Sequence, residues 1–79
     1  MNKKEVKKTI EKYEYYNSGI KHTNGAYVDV TNITIEKDKV YADVELVFQM
    51  DGRTEKYTNC EYPISMFKKE IEVEWKNID

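Results

Sequence analysis

The sequence predicts an α+β domain in two layers, an N-terminal helix followed by a three-stranded antiparallel sheet and a C-terminal helix. Three observations lead there. Apolar residues recur at helical spacing near the start, they alternate strictly over residues 40–50, and the turn pairs Asn24-Gly25 and Asp51-Gly52 punctuate the strands between them.

The first helix is read over residues 3–16. At about 100° per residue, Val6, Ile10 and Tyr13, flanked by Thr9 and Tyr16, share an arc of about 120° that can face a core. Asn2 followed three residues later by Glu5 has the form of a capping box, and Asn17-Ser18-Gly19 offers a residue that tolerates the left-handed conformation closing a helix. Lys3 and Lys4 sit in the first turn, where the helix dipole prefers anions. Their charge is either screened by solvent or serves a partner.

Residues 20–26 read as a loop, and the first strand covers about 26–36. Val28 and Val30 lie on one parity and Ile33 and Ile35 on the other, so one core can receive both pairs only if a bulge falls near Thr31-Asn32. The alternative is a strand with both faces partly covered. The second strand, Val40 to Met50, alternates throughout and should be central. Asp51-Gly52 then reverses the chain. A three-residue loop over Met50-Asp51-Gly52, with Gly52 left-handed, sets Val44 opposite Thr58, Ala42 opposite Cys60 and Val40 opposite Tyr62. That register buries Cys60 and Tyr62 and leaves Glu55, Tyr57 and Glu61 outside.

After Pro63 two readings compete. As a helix, Ile64, Phe67, Ile71, Trp75 and Ile78 fall within about 80° of one another; as a strand, Ile71, Val73 and Trp75 alternate with charges. The helix accommodates five large residues against three and is preferred, with a shorter helix followed by an edge strand left open.

At 79 residues the chain has room for one domain, residues 1–79, and one core. So short a chain buries only about 60–65% of its unfolded surface, and its stability should be roughly 4–12 kcal/mol. A deep active-site cavity would consume much of that. The aromatic content of 13% argues against disorder. The start of the chain has no signal-like apolar run and nowhere do 18 apolar residues follow one another, so neither export nor membrane insertion is expected. The single cysteine, Cys60, suits a reducing compartment, and the expected location is the cytoplasm.

Catalysis finds little to work with. The one histidine, His22, lies in a loop, and no nucleophile signature surrounds Ser18, Ser65 or Cys60, so a buried structural thiol and a solvated imidazole are the plain reading. One Cys and one His cannot build a structural zinc site, and the acids lack a calcium-loop spacing. Asp29, Asp43 and Glu45 on neighbouring strands read first as a solvated sheet face. The isolated glycines make no phosphate loop. No enzyme, cofactor or metal is expected.

Binding leaves more signal. Residues 1–12 carry five lysines against two acids, a balance of +3 that leaves −5 for the rest of a chain whose net charge is −2. Lys4, Lys7, Lys8 and Lys12 lie opposite the apolar arc with Tyr15 among them. Lysines around an aromatic suit an acidic protein groove, where Tyr is an over-represented anchor, or phosphates and a stacked base. Met66 and Val73, seven residues apart, lie together on the side of the second helix away from its stripe and form a second candidate contact.

The element order resembles the double-stranded RNA-binding domain and, by that resemblance, implies the same topology. The residues that carry that family's function differ. Its Gly-Pro-x-His loop is replaced by Glu36-Lys37-Asp38-Lys39, and its Lys-Lys-x-Ala-Lys helix start by Pro63-Ile64-Ser65-Met66-Phe67-Lys68-Lys69-Glu70. In size, slightly acidic character, Lys/Glu/Asn/Ile/Tyr-rich usage and architecture, the whole chain also resembles small phage-encoded anti-defence proteins, anti-CRISPR proteins among them. That resemblance implies an inhibitor of a host nucleic-acid-processing effector and transfers no residue role. The expectation is therefore a non-enzymatic inhibitor or modulator of a larger protein or protein–nucleic acid complex. A small nucleic-acid-binding domain using the basic helix is the alternative.

Overall fold

The computed structural model describes residues 2–67. Helix α1 (Lys3–Asn17) is followed by a 3-10 turn (Ile20–His22), strands β1 (Ala26–Ile35), β2 (Lys39–Phe48) and β3 (Arg53–Pro63), and a second 3-10 turn (Ile64–Phe67). The sheet is antiparallel in the order β1-β2-β3, and α1 packs across it on the β1 side. Of the expected C-terminal helix, read from Ile64 to Ile78, only the start is described, and it is the four-residue 3-10 turn Ile64–Phe67; residues 68–79 lie outside the described residues. Among the described residues no helix is long and apolar enough to cross a membrane.

Helix α1 begins where its cap is. The Asn2 side chain accepts a hydrogen bond from the Lys4 N–H at 2.7 Å, satisfying a donor that the first helical turn cannot. At the other end Gly19 takes φ +82°, a conformation that any Cβ would disfavour, and the chain leaves the helix there. Val6 and Ile10 are fully buried, as the periodicity predicts.

The rest of the arc is rotated from the expectation. Tyr13 and Tyr16 are exposed, whereas Tyr15, expected on the outer side, is half-buried and packs against the core, and Glu14 beside it is half-buried too. A buried phenol accounts for the rotation. The Tyr62 hydroxyl donates to a Glu14 carboxylate oxygen at 2.9 Å, and a buried O–H requires such a partner. Turning Glu14 toward the sheet leaves Tyr13 at the rim, edge-on to Tyr62 with ring centroids 6.1 Å apart. Ile20, read as a loop residue, is also buried, because the 3-10 turn folds it back onto the sheet.

Strand β2 is central and alternates strictly between buried and half-buried residues from Val40 to Phe48. Met50, where the alternation runs into the expected loop, lies in the turn and is exposed. In β1 the bulge falls where the parity conflict demands it. Thr31 pairs with Asp43 and Thr34 with Tyr41, Asn32 takes φ +54°, and Ile33 and Ile35 thereby join Val28 and Val30 against the core.

The β2–β3 register corrects the three-residue loop. Phe48 pairs with Arg53 across a four-residue connection, Gln49 to Gly52, in which Gly52 is left-handed at φ +65°. Val44 consequently faces Tyr57 rather than Thr58, which brings Glu55 and Tyr57 to the core side of the sheet instead of the outside. A second bulge, with Asn59 at φ +54°, then restores the expected pairs Ala42–Cys60 and Val40–Tyr62. Tyr62 is buried and Glu61 exposed as predicted, while Cys60 is only half-buried.

Candidate interaction surface

Among the described residues strand β1 has β2 on one side only, and its other edge carries no strand. The Gln49 N–H donates to the Gly25 carbonyl at 3.4 Å, and these two residues lie opposite one another in the register of the β1–β2 pairs. In an antiparallel ladder such bonded pairs alternate with non-bonded ones. The odd-numbered residues from Tyr27 to Thr31 therefore bond β2, and Val28 and Val30 turn their N–H and C=O groups to the outer edge, where the Ala26 N–H is already engaged, donating to the Thr23 carbonyl at 3.3 Å.

Helix α1 runs alongside this edge, and two open clefts lie between them. The first, about 450 Å³, is lined by Lys8, Glu11, Lys12, Tyr15 and Tyr16 from the helix and by Tyr27 and Val28 from β1. Tyr27 belongs to the outer sheet face and Val28 to the inner, so a cleft touching both follows the strand edge. The second, about 630 Å³, continues toward the bulge between Lys3 and Lys7 and the stretch Val30 to Thr34. Four lysines against one glutamate line this flank, a local +3 on a chain of net −2. The Tyr15 and Tyr16 rings stand edge to face at 5.3 Å, and the Lys21 ammonium lies 5.1 Å from the Tyr16 ring centroid.

Of the residues singled out by sequence, Lys7, Lys8, Lys12 and Tyr15 thus come together on this flank, with Tyr15 seated in the cleft and not on an open helix face. Lys4 is exposed beside the helix cap. Met66 lies elsewhere, half-buried against the core and lining a separate cleft with Tyr13, Glu14 and Tyr62; Val73 falls outside the described residues. Sequence reasoning missed Tyr16, which it gave to the core arc, and Tyr27. The signal for Tyr27 was available, since it alternates with Val28 and so belongs to the sheet face opposite the core.

The remaining candidates separate. Asp29 lies directly opposite Glu45, and Asp43 is engaged by Asn32 and Asn59, with its side-chain oxygens accepting from Asn32 Nδ2 at 2.7 Å and from the Asn59 N–H at 2.8 Å. Among the described residues, no group of three or more His, Cys, Asp or Glu side chains is arranged to hold a metal ion. His22 precedes the end of the sheet where Ala26 pairs with Phe48, whereas Cys60 pairs with Ala42, six residues or about 20 Å along β2.

Burial pushes the Cys60 thiol above its ordinary pKa, and its sulfur lies 3.7 Å from the Tyr57 carbonyl. The thiolate is the reactive form. In the native protein Cys60 is therefore expected to react with a soluble disulfide reagent at pH 7.5 at least about tenfold more slowly than in urea, and to accelerate as the pH rises past 9. Equal rates in buffer and in denaturant would place the thiol in open solvent.

No family model, curated protein or solved structure matches the chain.

Proposed function

We propose that the protein is a non-enzymatic binding protein that inhibits or modulates a larger partner through the flank formed by α1 and the β1 edge, and that it is a phage-derived inhibitor of a host nucleic-acid-processing effector. The observation that supports a binding role is the convergence of Lys3, Lys7, Lys8 and Lys12 with Tyr15, Tyr16 and Tyr27 on two adjoining clefts. The inhibitor reading rests on size, composition and architecture. Tyrosine supplies large contact area at small entropic cost, and lysines at a rim steer an acidic partner. The same residues favour a second reading, in which the lysines meet phosphates and Tyr16 and Tyr27, both exposed, stack bases.

A pull-down from a bacterial lysate, with and without nuclease, distinguishes the two. A protein band that survives nuclease and is lost when Tyr27→Ala weakens binding by about 2 kcal/mol or more supports the protein partner. Micromolar binding of an oligonucleotide at about 150 mM salt, with a salt slope near 0.7–0.9 per contacted phosphate that falls as lysines are removed, overturns it in favour of nucleic acid.

A further inference from the structure

We propose that the edge of β1 left unpaired among the described residues takes up an extended acidic peptide segment of the partner, which adds as a strand beside residues 26–31. The proposal deepens the reading of this flank as the interface and rests on it. Three observations converge on an extended, acidic occupant. The N–H and C=O groups of Val28 and Val30 turn to the outer edge, which is the hydrogen-bonding template that strand addition uses, while the Ala26 N–H is held by the Thr23 carbonyl. The clefts run along that edge on the helix side, from Tyr27 to the bulge at Asn32, so a strand laid there has room for side chains directed toward α1. Lys7, Lys8 and Lys12 form the wall that those side chains would meet, with Glu11 the one opposing charge.

Charge also fixes the alternation of the added strand. Its residues on the helix side face lysines and should be acidic. Those on the other side lie next to Asp29, already opposite Glu45, and should be neutral, because like charges across a ladder destabilise it. A second copy of the chain fits poorly for the same reason, since pairing two β1 edges would bring two lysine-lined flanks together. The bulge at Asn32 ends the template and sets its length at about six residues.

The test uses the whole protein and a blocked octapeptide, Glu-Val-Glu-Thr-Glu-Val-Glu-Thr, with a control carrying Lys for each Glu. Amide exchange is followed residue by residue by NMR. The expected result is binding of the acidic peptide, slowing of exchange at Val28 and Val30 by about tenfold or more at saturation, and no such effect from the lysine control. A Lys8→Glu/Lys12→Glu variant, altered only at exposed positions, should bind at least tenfold more weakly. Absence of binding at millimolar peptide, equal binding of the lysine control, or binding that leaves Val28 and Val30 unchanged overturns the proposal. So does protection of those amides without peptide, which would assign the edge to a second copy in a sample of doubled mass and to the chain's own residues in a sample of single mass. If a captured protein partner is lost on Lys8→Glu/Lys12→Glu while Val28 and Val30 exchange as fast in its complex as in the free protein, the binding function stands and strand addition alone fails.

Discussion

Replacing Phe67 by alanine is expected to leave the protein close to unfolding at 25 °C. Among the described residues Phe67 is the largest of the fully buried side chains, and it closes the core from the 3-10 turn after β3. The turn is held in place by the Ile64 N–H, which donates to the Asp38 carbonyl at 3.1 Å in the β1–β2 connection. Truncating such a ring costs about 3–5 kcal/mol when the site cannot collapse. That is comparable with the whole stability of a chain this size, roughly 4–12 kcal/mol. Urea titration should show the midpoint falling by half or more with little change in slope. Phe48→Ala should fall at the lower end of the same range, because Phe48 lies at the hairpin end of the sheet, where the Arg53 guanidinium covers its ring at 4.4 Å and can follow it inward. An unchanged midpoint for Phe67→Ala would mean that the turn does not close the core.

What could be read from sequence were features specified by near neighbours. The Asn2 cap, the left-handed Gly19, the strict alternation of β2 and the β1 bulge all follow from residues within a few positions of one another. What could not be read depended on distant pairs. The rotation of α1 is tied to a hydroxyl 48 residues away, Tyr62 on Glu14, and no periodicity of the helix alone contains it. The register of β3 was right at Cys60 and Tyr62 and wrong at Tyr57, since the loop is one residue longer than predicted and a bulge at Asn59 takes up the difference. The lysine face was legible as charge, but the cleft beside it depends on β1 lying at the edge of the described sheet under that flank.

The second large effect is expected at Asp43, which anchors both bulges. Asn32 in β1 and Asn59 in β3 each adopt φ +54°, a region that Asn tolerates better than most residues but that still needs support. Asp43, on the strand between them, accepts one hydrogen bond from the Asn32 side chain and one from the Asn59 backbone. Asp43→Ala removes both anchors together, so its thermal midpoint should fall well below that of Asp29→Ala, which relieves a like-charge pair on the same sheet face. The two bonds, Asn32 first and Asn59 second, hold the Asp43 carboxyl below its usual pKa. Its contribution is therefore fully present above the unfolded value of about 3.9 and is lost as the pH falls through the lower folded value. Between pH 5 and 2 the wild-type midpoint should decline more steeply than that of Asp43→Asn, which keeps the shape and discards the titration; parallel declines would show a carboxylate that anchors nothing. The two asparagines should also separate. Asn59→Gly keeps the backbone donor and relieves the left-handed strain, so it should be neutral or stabilising, whereas Asn32→Gly loses the side chain that holds Asp43 and should lower the midpoint. Equal effects of the two glycines would mean that strain relief, and not the Asp43 anchor, governs the bulges.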